Sequence, residues 1–393
     1  MVDDDSTSGG SSSSGETSGE DTSIDPFADA TLSETTAGED TAAGPSVTPP
    51  ESWWDGAWPC RIPFTIAAPS TLAAIDDAVV LARLDTQSLA PPLASEQGVD
   101  VRVLAEDHHT VLPFEVDEVR DGELLLWLGV APLTPEVEHR GWLYYGNAAA
   151  PADVPPSPWA GAYDAVLHLG PSLADSTGAH MGSASPEPTH VVGQIGGARS
   201  FRADQPTRAV HLADSRDFDW AGGFSLSFWT FVGSGNDRFT RRGFVGSIAW
   251  GLEVYDDLAA FMRDAPLSFR LRVQCMAGTS GCSTADGGPT YTLGGSSALV
   301  ANWHHIALTV APGEVRLYID GSLASATPLD VGFVMELHDL SIGSDPGSTR
   351  MTYGSIDEFR FYEGVWPAER IAADYTTMRG ELVTFGTPEC FRR

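Results

Sequence analysis

Apolar and polar residues alternate through the last hundred residues in short runs. Residues 303–310, 315–319 and 354–362 each place apolar side chains at every second position, and Ala311-Pro312-Gly313 and Asp320-Gly321 break the chain after the first two. A period of two bounded by turn residues predicts half-buried antiparallel strands joined by hairpins. The same texture recurs at 224–230 and 267–273. It is also present in the first half, at 61–66, 78–84, 99–104, 112–116, 124–128 and 141–147, with turn clusters such as Glu106-Asp107-His108-His109 and Arg120-Asp121-Gly122 between runs. Only 367–375 reads as a helix, with Pro367 near its first turn. The pattern predicts an all-β chain of packed sheets.

The chain has 393 residues, enough for two cores. Residues 1–52 are Ser, Thr, Gly, Asp and Glu with few large apolar side chains, a composition that cannot offset its ordering entropy and predicts a disordered acidic tail. Trp53, Trp54 and Trp58 mark an abrupt change, and 53–150 reads as a small β-sandwich. A Pro-rich joint at 151–159 leads to a larger β domain over 160–380, followed by a C-terminal segment, 381–393.

Two stretches carry wording beyond their period. Gly98-Val99-Asp100-Val101-Arg102, Leu112-Pro113-Phe114-Glu115-Val116 and Tyr144-Tyr145-Gly146-Asn147, preceded by Trp58 and Arg61, resemble the DUF2341 family of bacterial surface proteins. The order Asp175-Ser176-Thr177-Gly178, Trp303-His304-His305, Leu317-Tyr318-Ile319-Asp320-Gly321 and Ile356-Asp357-Glu358-Phe359-Arg360-Phe361-Tyr362 resembles the laminin G-type, concanavalin A-like jelly roll. The second resemblance implies a jelly roll that binds carbohydrate or protein ligands. It also implies a structural calcium held where the early Asp175 turn meets the final strand at Asp357, an ion that takes six to eight oxygens. Beside that reading stands another, in which Asp175 caps its own turn and Asp357 pairs with an arginine such as Arg360.

The formal net charge is -32, and every one of the 22 basic residues is arginine. Such a balance excludes a generic nucleic-acid or anionic-membrane binder, and the lack of lysine excludes Schiff-base chemistry and a P-loop. No stretch of about eighteen apolar residues predicts a membrane span. Met1-Val2 runs straight into Asp3-Asp4-Asp5 without a secretory signal. The tail nevertheless resembles the linker that follows a processed signal or lipid-anchored cysteine, so the expected location is extracellular or at the cell surface, with the recorded start lying downstream of the true one. The four cysteines lack zinc-site spacing and suit an oxidising compartment. The short Gly-containing loop between Cys275 and Cys282 predicts one disulfide, and a second, Cys60 to Cys390, would tie the start of the folded region to its end.

Candidate catalytic groups are few. Glucanases of the concanavalin A-like fold resemble one another in a strand with alternating carboxylates, which places two of them about 5 to 5.5 Å apart for retaining hydrolysis. Here Asp357 and Glu358 are adjacent, and a regular strand turns them to opposite faces. Glu115, Asp117 and Glu118 lie at a strand end beside Arg120, where a solvated edge is expected. Asp117-Glu118-Val119-Arg120-Asp121-Gly122 fails as a calcium loop, because Val119 stands where an oxygen is needed. His108-His109 and His304-His305 have no metal-site spacing. Trp229, Trp303 and Phe359 read as core, whereas Trp250, Tyr255, Tyr291 and Tyr353 are candidates for a sugar-stacking rim. The expectation is a non-enzymatic binding protein. The alternatives are a diverged polysaccharide-active enzyme and a structural spacer.

Overall fold

The computed structural model describes residues 52–391, apart from 153–154, 162, 202–207, 214–221, 233–241, 247–249, 256–266, 274–289, 297–300, 330–339 and 344–353. The predicted tail up to residue 51 and the Cys275–Cys282 pair lie outside the described residues. The chain is an all-β stack of antiparallel sheets with one α-helix among the described residues, α1 (Ala368–Thr377).

Two small sheets form the first sandwich. One holds β1 (Cys60–Ala67), β6 (Glu138–Tyr145) and β3 (Arg102–Ala105), and the other has the order β2 (Ala78–Asp85), β5 (Glu123–Val130), β4 (Phe114–Arg120). Ile62, Phe64 and Ile66 of β1 meet Val80, Ala82 and Leu84 of β2 and Leu124, Leu126 and Leu128 of β5 in one core. On the far side of the first sheet, Trp53, Trp54 and Trp58 pack over Leu104 and Tyr144. The Arg61 guanidinium lies 4.3 Å from the ring centre of Trp53 and 4.0 Å from that of Trp142.

The C-terminal segment does not stand apart. β22 (Val383–Phe385) and β23 (Glu389–Cys390) both pair with β1, in a register that sets Cys60 opposite Cys390. A disulfide joins these two cysteines, as predicted.

The jelly roll lies between these two contributions in sequence. Its eight-stranded sheet runs β19 (Ser322–Pro328), β18 (Glu314–Ile319), β17 (Trp303–Ala311), β12 (Phe224–Val232), β21 (Gly354–Tyr362), β10 (Gly197–Phe201), β9 (Thr189–Val192), with β7 (Ala165–Leu167) also on β21. The seven-stranded sheet facing it includes β8 (Met181–Ser183), β11 (Val210–Ala213), β14 (Trp250–Tyr255), β16 (Thr290–Ser296) and β20 (Leu340–Ile342). Phe224, Leu226 and Phe228, Ile306 and Leu308, and Ile356, Phe359 and Phe361 fill the core between them.

A third apolar layer joins the two sandwiches. Val79 and Leu81 of β2 and Leu125 and Trp127 of β5 turn away from the first core and pack with Trp159, Tyr163, Val166, Trp229, Ala307, Tyr318 and Trp366. β5 is therefore buried on both faces, which is why 124–128 is an unbroken apolar run where a half-exposed strand would alternate. Ile371 and Met378 of α1 complete the layer, and Arg370 pairs with Asp77 across it. Pro45–Arg393 forms one compact unit.

Candidate functional site

The third layer encloses a network of charged side chains. Its centre is Arg360, which is fully buried. One guanidinium nitrogen donates to Asp374 Oδ1 at 2.9 Å and to the Tyr163 hydroxyl at 3.1 Å, and the other reaches Glu358 Oε2 at 3.5 Å. The guanidinium also lies 4.6 Å from the Trp127 ring centre and 5.1 Å from that of Trp159, so it is held by hydrogen bonds and aromatic faces together. Asp374 receives a further bond from Ser227 Oγ at 2.9 Å, and His305 Nε2 is 3.7 Å from its other oxygen. Burial opposes ionisation of Asp374, but Arg360 and His305 outweigh it and hold its pKa well below the usual carboxylate range. Burial and the Asp374 charge push the Tyr163 hydroxyl up to about 12.

A second group adjoins it. Glu115 of β4 accepts hydrogen bonds from Trp159 Nε1 and, at 2.8 Å, from Ser176 Oγ. His168, just beyond β7, has Nδ1 2.8 Å from Glu358 Oε1 and Nε2 3.5 Å from Glu115 Oε2, with its ring stacked on Trp127 at 5.7 Å. Burial disfavours the His168 charge, yet Glu358 and Asp117 raise its pKa well above the ordinary imidazole value. Burial likewise works against the Glu115 charge, and bonds from His168, Trp159 and Ser176 bring its pKa below normal. Asp117 accepts from Trp127 Nε1 at 3.3 Å, and burial pushes its pKa up to about 7. Glu115 and Asp117 therefore do not lie on a solvated edge, because β4 turns them toward the jelly roll.

The adjacent carboxylates of β21 also depart from expectation. The pairing of β12 with β21 shifts between Ser227 and Trp229, and Glu358 has φ 52°. This β-bulge inserts one residue, so Ile356 and Phe359 both face the jelly-roll core while Asp357 and Glu358 both face the third layer. Each is fully buried. Asp357 Oδ2 accepts from the Ile195 amide at 2.8 Å, Oδ1 has no partner among the described residues, and burial followed by the Glu358 charge raises the pKa of Asp357 well above normal.

Asp175 and Asp357 do not fit a shared calcium. Asp175 Oδ1 accepts from the amides of Val166 and Thr177, and Oδ2 from the Thr177 hydroxyl and the His180 amide. Four donors fill the lone pairs that a cation would need, so Asp175 caps its own turn. Arg360 pairs with Asp374 and Glu358 rather than with Asp357.

The aromatic assignments divide. Phe359 lies in the jelly-roll core, Trp229 in the third layer, and Trp303 is half-buried. Tyr291 is half-buried and packs against the jelly-roll core. Trp250 and Tyr255 fall on β14, with side chains outside the described set, and Tyr353 lies outside the described residues. His305 is buried beside Trp229, and His304 Nδ1 lies 2.8 Å from Asp320.

Residues 204–372 match the family model of the concanavalin A-like lectin/glucanases superfamily, less than half of the chain. Among solved structures, the chain is similar to domain 4 of AbnA, a GH43 extracellular arabinanase from Geobacillus stearothermophilus, in complex with arabinotriose. The identity is 19%, covering 53% of this chain and 96% of that one, with a TM-score of 0.39. It is also similar to the binding domain of Paraclostridial Mosquitocidal Protein 1, at 13% identity over 54% of this chain and 51% of that one, TM-score 0.43. The botulinum neurotoxin type G receptor binding domain gives 13% over 55% and 51%, TM-score 0.40. The chain spans about half the length of these two toxin domains. No curated protein matches it.

The network has a pH signature. A carboxyl group that the fold keeps protonated contributes stability below its unfolded pKa, near 3.8, and loses that contribution as the pH rises toward about 7. Stability is therefore expected to fall between about pH 4 and pH 7, and Asp117→Asn to flatten the decline. Urea denaturation in a chelating buffer, which keeps divalent cations off the carboxylates, measures this. A wild-type profile that rises over the interval contradicts it.

Proposed function

We propose that this chain is a non-enzymatic, exported or cell-surface binding protein whose jelly roll takes carbohydrate or protein ligands. The observation that carries the reading is the burial of Asp357 and Glu358. These are the carboxylates nearest the glucanase arrangement, and both lie at 0% exposure in the layer formed with β5 and α1. Hydrolysis of a polysaccharide needs paired carboxylates open to a sugar chain, and this pair is sealed.

The first sandwich, with its resemblance to the DUF2341 family, serves as a rigid base. It covers one face of the jelly roll and leaves the outer face of the seven-stranded sheet for contact, where Met181, Ser183, His211 and Thr292 are exposed. The Cys60–Cys390 disulfide supports an oxidising compartment. No helix among the described residues is long and apolar enough to cross a membrane.

A glycan array probed with the full chain, run beside a reducing-end assay on the same polysaccharides, tests the proposal. Binding to a subset of glycans without release of reducing ends is expected. Release that Glu115→Gln or Glu358→Gln abolishes would establish an enzyme instead.

A further inference from the structure

We propose that Asp117, His168 and Glu358 form a divalent-cation site that joins the first sandwich to the jelly roll. The three residues come from separate places: β4, the turn after β7, and the bulge in β21. Their potential ligating atoms nevertheless all lie within 4.8 Å of one another. Donors about 2.0 to 2.2 Å from one ion lie at most roughly 4.4 Å apart, so small side-chain rotations close the set around a cation. His168 Nδ1 and Glu358 Oε1 are in direct contact at 2.8 Å, so a small opening of this pair would admit an ion between them.

Two further observations point to a cation here. Asp357 lies beside Glu358 on the same face of the bulge, and its buried Oδ1 has no hydrogen-bond partner among the described residues. The far nitrogen of His168 faces Glu115, itself fixed by Trp159 and Ser176. A carboxylate on one ring nitrogen with an ion on the other is the arrangement that orients metal-bound histidines. Asp117 has one long hydrogen bond among the described residues, from Trp127 Nε1 at 3.3 Å, and keeps lone pairs for a ligand role.

Mixed imidazole and carboxylate donors suit zinc or manganese better than calcium, which takes oxygen alone. A cavity of about 330 Å³ lined by Val99, Val101, Phe114, Glu115, Pro158 and Ser176 reaches Glu115, the carboxylate beside His168.

The test uses the full chain, stripped with chelator and titrated calorimetrically with zinc, manganese and calcium. One zinc or manganese ion per chain is expected, with Asp117→Asn weakening uptake roughly 100-fold while circular dichroism stays unchanged. Asp121→Asn, which alters an exposed carboxylate, should leave uptake intact. Cobalt-loaded wild type should show visible absorption bands of a nitrogen-and-oxygen site, a readout that needs no variant. Failure of the wild type to take up zinc, manganese or cobalt stoichiometrically overturns the proposal. Uptake unchanged by both Asp117→Asn and His168→Gln also does so, leaving His168 as an imidazolium clamped between Glu115 and Glu358.

Discussion

Arg360→Leu should lower the free energy of unfolding by roughly 3 to 5 kcal/mol, the cost of breaking a buried ion pair by removing one partner. The leucine would fill much of the space between Trp127 and Trp159, so loss of packing is the smaller part. The larger part is Asp374, fully buried and left without its guanidinium. Adding Asp374→Asn should therefore recover a substantial share, because the amide carries no charge to strand. The pH dependence follows with a definite sign. The Asp374 pKa is depressed in the fold, so its contribution is present above the unfolded value near 3.8 and is lost as the pH falls through the folded one. Wild type should thus lose more stability on acidification than Arg360→Leu. Urea titrations of the single and double variants at several pH values measure all of this, and a double variant no more stable than the single one would refute the ion-pair account.

Cys390→Ser should cost about 2 to 5 kcal/mol. The disulfide spans a sequence separation of 330 residues, and a chain-entropy model assigns so long a loop a large restriction of the unfolded state. Besides the sulfur link, β23 is held by the Arg61–Glu389 pair at 2.9 Å and by Phe391 packed edge-on to Trp53 at 4.9 Å. The native strand should therefore stay docked in the variant while the unfolding midpoint falls. Calorimetric melting of wild type with and without reductant gives the same comparison without a mutation, and identical midpoints would show that the bridge contributes nothing.

Strand positions were legible because each strand reports on itself. The alternation at 303–310 and 315–319 became β17 and β18, and the candidate helix at 367–375 became α1. Pairings between distant residues were not legible. Glu115 looked like an edge residue because its partners Trp159, His168 and Ser176 come from the next sandwich and the joint before it. Asp357 and Glu358 were assigned opposite faces by a period of two, and one inserted residue at the bulge cancels that rule. A usable signal lay in 124–128: five apolar residues without alternation imply a strand covered on both sides, and hence a second partner for the first sandwich. Asp374 gave no signal, since an aspartate in a helix of mixed polarity is ordinarily a surface residue.

The pairing of β22 and β23 with β1 bears on how the chain is made. A ribosome releases β1 before the jelly roll and its two partners only after the whole jelly roll has emerged. Until then one side of β1 is an unpaired strand edge, the kind of surface that recruits other chains. The first sandwich to be synthesised is therefore the last to be completed. Removing residues 382–393 would damage a sheet whose other strands lie more than 200 residues earlier in the sequence.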